Sequence, residues 1–172
     1  MTIKHALFGA AALLVVGAPA AAAGPTDPQI AHIAYTAGAL DIAAAKQALA
    51  RSHNKAVRSF AQEMVRDHKA VNDKALALVK KLKVTPEDNA TSQGLTKAAA
   101  AERAKLSRLK GAAFDREYAN NEVAYHKTVN GALESTLIPS ANNGELKSLL
   151  QTGLTLFKEH QAHAEMIAKG LK

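Results

Sequence analysis

Between Val57 and Leu82 apolar residues recur at Val57, Phe60, Met64, Val71, Ala75, Leu78 and Leu82. These are helical steps of three, four or seven residues, so the segment reads as one face of a long α-helix. The stripe has a single gap, and His68 fills it with Asp67 beside it. Three other segments share the period. Gln29 to Arg51 carries Ile30, Ile33, Ala37, Leu40/Asp41, Ala44 and Ala48. Ala112 to Leu137 carries Phe114, Tyr118, Glu122, Tyr125/His126, Val129 and Leu133. Glu145 to Lys169 carries Leu146, Leu149/Leu150, Gly153, Phe157, His160, Ala164 and Ile167. A shorter and more polar helix is expected from Thr91 or Ser92 through Lys97, Glu102, Leu106 and Leu109.

The breaks between these segments set the topology. Ser52-His53-Asn54 is a junction so short that the first two helices must be antiparallel neighbours. Val84 to Ala90, with Pro86 inside it, is a longer connection; Gly111 divides the polar helix from the next; Pro139 and Asn142-Asn143-Gly144 make the last turn. At the start, Asp27 is the expected cap, with Pro28 in the first turn. Two hairpins joined by a longer link predict an all-α four-helix bundle with a short additional crossover helix.

Residues 1–23 stand apart from this pattern. Lys4 and His5 precede an apolar run from Ala6 to Ala18, and Ala21-Ala22-Ala23 is a small-residue cleavage site. That is the form of a secretory signal peptide cut before Gly24, leaving residues 24–172 as the bundle domain of an exported, periplasmic protein. The run is shorter than the roughly 20 residues a spanning helix needs, and no later stretch is apolar enough, so no integral membrane span is expected. The chain has no cysteine, which excludes disulfides, thiolate metal sites and a catalytic thiol. Its formal charge of +7 includes Lys4 of the leader. The remaining basic residues are dispersed over helix faces with few aromatics between them, so they read as a solvated surface, and no nucleic-acid partner is expected. A homo-oligomer through the polar third helix stays open.

Chemistry is concentrated where the core stripes are interrupted: Asp41, His68, Glu122 with His126, and His160 with His163. Reflecting each hairpin about its turn puts Asp41 opposite Met64, one turn from His68, and Glu122 opposite His160, one turn from His126. Carboxylates and imidazoles of four helices thus gather at one depth, which is how metal sites are built in bundles. The set His68, His126, His160, Asp41, Glu122 and His163 suits a divalent transition metal, Zn, Cu, Fe or Mn. The plainer reading is that these histidines are hydrogen-bonded packing residues. A di-iron centre would call for Glu-x-x-His pairs, and the residues three before His68, His126, His160 and His163 are Val65, Val123, Phe157 and His160. Nothing in the sequence supplies a nucleophile or a phosphate-cradling loop, so catalysis is not expected.

Gly38-Ala-Leu-Asp41-Ile, the Phe-Ala-Gln-Glu-Met-Val-Arg-Asp-His string of Phe60 to His68, Phe114-Asp-Arg-Glu-Tyr118, Tyr125-His126 and Lys158-Glu-His160 follow one another as in a known family. The chain resembles the exported bacterial family called domain of unknown function 4142, over about Pro28 to Lys169. The resemblance implies a ferritin-like four-helix bundle and no established activity. Its recurring acid falls on Asp41, its Asp-His on Asp67 and His68, and its later histidines on His126 and His160. The sequence departs from the family at Ala43 and Tyr125, where relatives often carry acids. Two functions are therefore expected as alternatives: a bundle binding a transition metal in envelope stress or metal handling, or a non-enzymatic envelope protein with packing histidines.

Overall fold

The computed structural model describes residues 24–171, and the leader expected at residues 1–23 lies outside them. Helix α1 spans Asp27–Arg51, α2 Lys55–Leu82, α3 Ala90–Leu106 and α4 Gly111–Ala132. The last continues through a π-helical stretch, Leu133–Leu137, and one further turn, α5, Ile138–Ser140; α6 spans Gly144–Gly170. The described residues contain no strand. None of these helices is long and apolar enough to cross a membrane.

Short polar residues start the helices by satisfying backbone donors that lack intrahelical acceptors. Asn54 accepts from the N–H groups of Ala56 and Val57, Asn143 from those of Glu145 and Leu146, and Asn89 forms a capping box with Ser92. At α1 the cap is Thr26, in a capping box with Gln29, rather than Asp27. The Asp27 carboxylate is used elsewhere, accepting from the backbone N–H of Asn142 at 2.8 Å and of Asn143 at 2.9 Å. It thereby ties the start of α1 to the turn before α6. Gly111 takes a φ of 54°, a left-handed conformation open to glycine, at the sharp turn into α4. The π-helical stretch, which the hydrophobic period does not reveal, precedes Pro139, whose missing N–H and bulky ring are incompatible with the preceding α-helical turn.

Helices α1, α2, α6 and α4 form the ring of an up-and-down bundle, each antiparallel to its neighbours. The crossover helix α3 lies along α1 and reaches α4. It is tethered at both ends: Asn89 donates to the Gln29 carbonyl, and Arg51 donates to the carbonyls of Ser107 and Leu109. Only Ser92 and Leu106 of α3 are buried, which agrees with its polar sequence.

The bundle interior is divided by depth. One apolar cluster, around Ala45, Val57, Phe60, Met64, Phe114 and Ala164, fills the half nearest the α1–α2 turn. A second, around Ile30, Ile33, Leu133, Leu146 and Leu150, fills the half nearest the α4–α6 turn. Between them lies a buried polar layer. The second half is also the looser one: α1 presents Ala31, Ala34, Ala37 and Gly38 to it, and a cavity of about 690 Å³ remains there.

Candidate metal centre

The polar layer takes Asp41 from α1, His68 from α2, Glu122 and His126 from α4 and His160 from α6. Each replaces an apolar residue on its helix stripe, so packing of the two flanking clusters drives all five side chains to the axis. All five are at most 3% exposed, in the range where an ionisable group is ordinarily paired or coordinated. The three imidazoles form a nearly regular triangle, with ring centroids 5.4 Å (His68–His160), 5.6 Å (His126–His160) and 5.8 Å (His68–His126) apart. Asp41 lies beside them, its Oδ2 3.3 Å from His68 Nε2 and 3.6 Å from His126 Nε2. Glu122 Oε2 lies 3.6 Å from His126 Nδ1.

Hydrogen bonds to the Glu122 backbone and to Asp67 orient two of the rings. His126 Nδ1 lies 3.0 Å from the Glu122 carbonyl. A carbonyl only accepts, so Nδ1 carries the proton and Nε2 keeps its lone pair. His160 Nε2 donates to Asp67 Oδ2 at 3.2 Å, which leaves the lone pair on Nδ1. Asp67 is itself gripped by Arg66 through bonds of 2.7 and 3.0 Å. The Arg66 hydrogen bonds hold the Asp67 carboxyl below its usual range despite partial burial. His68 is fixed differently, by stacking on Phe157 with centroids 4.7 Å apart and planes at 13°.

The atoms left over are informative. Both Asp41 oxygens, both His68 nitrogens, His126 Nε2, His160 Nδ1, Glu122 Oε2 and the Tyr118 hydroxyl are buried without a hydrogen-bond partner. Buried polar atoms are nearly always paired, so such a convergence needs a physical reason. Among the described residues, His68, His126 and His160 each offer one ligand atom within 4.8 Å of the others. So do Asp41, Glu122 and His126, and likewise Glu63, Asp67 and His160 at the α2–α6 seam.

Burial and the neighbouring charges set the protonation of the layer. Burial pushes the His126 imidazolium down to about 4, with His68 and His160 adding to the shift against the opposing carboxylate of Asp41. Burial likewise lowers His160, with His68 adding to it. Burial also works against ionisation of Asp41, but the neighbouring His68, with His126 and His160 behind it, outweighs it and holds this carboxyl below its usual range. Glu122 goes the other way: burial, then the charge of Asp41, raises it well above a normal carboxyl. The layer therefore contains the His126 and His160 imidazoles in neutral form with inward lone pairs, one ionised carboxylate and one protonated acid. Three nitrogens and a carboxylate oxygen suit Zn, Cu, Fe or Mn, and a divalent ion would offset the buried charge of Asp41.

Of the six residues singled out in the sequence, five share this layer and His163 does not. Three residues beyond His160, it is turned by about 60° around α6. Its Nδ1 bonds Glu63 Oε2 at 2.8 Å and its ring packs edge-on against Phe60, with the side chain 35% exposed. The sequence reading did not identify Asp67 as the partner of His160, nor Glu63 as that of His163. The available signal was the Glu63/Asp67 spacing of four, which puts both carboxylates on one face of α2.

The chain matches the family described as Domain of unknown function (DUF4142) over residues 15–167, and it belongs to that family. No curated protein and no solved structure matches it.

Proposed function

We propose that this family member is an exported, ferritin-like bundle that holds one divalent transition metal on His68, His126 and His160, with Asp41 as the anionic ligand. The observation that carries the reading is the convergence of buried, unpartnered ligand atoms from four helices on one layer. Glu122, protonated and next to Asp41 and His126, serves as a reserve ligand or proton store. Its acid would release a proton as the cation binds, since a nearby positive charge favours the carboxylate. The role is binding, in metal handling or envelope stress, because no nucleophile or Glu-x-x-His pair accompanies the site. The leader-like segment at residues 1–23 supports a periplasmic location.

The test is elemental analysis of the mature chain purified without a polyhistidine tag, followed by titration with Zn²⁺, Cu²⁺, Fe²⁺ and Mn²⁺. One ion per chain and a melting temperature that rises with metal concentration are expected, since any ligand of the native state alone stabilises it. No stoichiometric metal, with no change in melting temperature for any of the four, would sink the proposal. The second reading would then take its place: an envelope structural or interaction protein in which the His68–Phe157 stack and the His126 hydrogen bond specify packing.

A further inference from the structure

The cavity of about 690 Å³ in the looser half of the bundle falls inside the roughly 300–1,000 Å³ range of small-molecule pockets. It is elongated along the bundle. On α2 its lining runs from His68 to Val79, about 16 Å at 1.5 Å per residue, and the other helices line it over similar lengths. Its walls are mostly aliphatic, with Ile33, Val71, Val129 and Leu150 among them, and Asn72 is a polar residue along them. Exposed Thr91, Thr128 and Thr136 mark a rim facing solvent, and the inner end is floored by His68 and His126. An apolar channel of this size is a poor container for water, which needs two to four polar partners per molecule.

We propose that the channel binds a long-chain fatty acid, its tail between α1, α2, α4 and α6 and its carboxylate on the His68/His126 floor. A largely aliphatic channel with polar groups at its inner end fits an alkyl chain with one small polar head. His68 and His126 line the cavity and also face the metal-ligand layer, so a head group reaching the floor reaches that layer. Asp41 in the same layer would repel an anionic head in the absence of a cation, and a bound divalent ion would instead accept its oxygens. The carboxylate end of the proposal thus rests on the metal reading, whereas the tail seat does not.

Two probes separate these parts in the full mature chain. Palmitate and hexadecanol share a chain and differ in the head. Native mass spectrometry gives stoichiometry and calorimetry gives affinity, on EDTA-treated and on Zn²⁺-loaded protein. We expect one hexadecanol per chain with or without zinc, and one palmitate bound at least about tenfold more tightly with zinc than without. Ala34→Leu and, separately, Ala75→Leu place bulk in the tail path from α1 and α2. Each should weaken both probes by about tenfold or more while the melting temperature stays at or above wild type, as cavity filling predicts. Absence of one-to-one hexadecanol binding overturns the channel, as does wild-type binding in both filled variants. Palmitate binding indifferent to zinc overturns the head placement. Failure of the metal reading shows in the zinc titration itself; hexadecanol then decides the tail seat alone.

Discussion

Asp67 on α2 accepts the Nε2 proton of His160 on α6 at 3.2 Å, and this bond decides which nitrogen His160 turns toward the bundle axis. The Glu122 carbonyl does the same for His126 through the opposite ring nitrogen. Two imidazoles are thereby set with lone pairs inward before any ligand arrives, and Arg66 holds Asp67 in place from the solvent side. Such outer partners fix the tautomer and the ring orientation of a metal-ligating histidine.

Asp67→Asn tests this relation. The amide keeps the shape, but its NH₂ can donate to Nε2 and drive the His160 proton onto Nδ1, where the lone pair is needed. Zinc affinity measured by calorimetry should fall about 10- to 100-fold. Asp67 is partly exposed, with 17% of its side chain accessible, so the metal-free melting temperature should move by only a few degrees. Affinity equal to wild type would remove Asp67 from the site.

Substitutions that destroy the site should separate its effect on metal-free stability from its effect on metal binding. Asp41 is 2% exposed with both oxygens unpartnered, and both His68 nitrogens are unpartnered as well. Asp41→Asn removes a buried charge, and His68→Leu replaces an orphaned imidazole with an apolar side chain able to pack on Phe157. His68→Leu should leave metal-free stability unchanged or raise it by about 1–3 kcal/mol, whereas Asp41→Asn should lower it, because the depressed Asp41 carboxyl means that the fold stabilises its charge. Metal-dependent stabilisation should vanish in both. Urea unfolding with EDTA and with Zn²⁺ reads the two effects separately. A large metal-free loss in both variants would show that the polar layer holds the bundle together on its own.

Most of this architecture is legible in the sequence because one physical rule produces it. The apolar stripes must face the axis, so whatever interrupts them must also face the axis; that is why His68, Glu122, His126 and His160 could be picked out one helix at a time. Hairpin reflection supplied their common depth, because three-residue junctions such as Ser52–Asn54 leave little freedom. The cavity beside the layer was not legible. Alanine counts as apolar in a stripe, and the period does not say that Ala31, Ala34 and Ala37 leave space instead of filling it. Nor was the Asp67–His160 bond, which depends on the rotation of α6 against α2 and not on either helix alone. The π-helical stretch at Leu133–Leu137 was not legible either: its buried residues Leu133 and Leu137 are four apart, a spacing that an α-helix also puts on one face.

Gly38 lets α1 and the Asn72 side chain of α2 approach closely near the site. A Cβ there would sit 2.4 Å from Asn72 Oδ1 and 3.0 Å from its Cγ. Asn72 is 7% exposed and donates to the Tyr35 carbonyl at 3.3 Å, so it has a reason to stay. Gly38→Ala should therefore destabilise by about 1–3 kcal/mol through overpacking. On an Asn72→Ala background the clash is gone, and the same substitution should be neutral or gain up to about 1 kcal/mol from helix propensity. The double-mutant cycle checks the sign change, and equal costs in both backgrounds would place the strain elsewhere.

The buried layer should also shape the response to acid. His126 takes its proton near pH 4 in the fold, against 6.5 as the ordinary value. Between these limits the unfolded chain binds a proton that the folded one refuses, so stability falls as pH falls through this window, by on the order of 3 kcal/mol in all. His160 is shifted in the same direction and adds to the loss. Glu122 opposes it. Its raised carboxyl keeps a proton in the fold that the unfolded chain gives up above 4.5, a contribution fully present below that value and lost as pH rises through the folded pKa. Asp41, lowered from 3.8, loses its contribution only below this range. Glu122→Gln removes the opposing group without removing the hydrogen-bonding shape. In EDTA, urea unfolding at pH 6.5, 5.5 and 4.5 should therefore show a steeper acid loss in the variant than in wild type. The added slope should approach about 1.4 kcal/mol per pH unit where Glu122 would have held its proton. Parallel curves for the two proteins would mean that Glu122 is ionised in the folded chain, and would withdraw its role as a proton store.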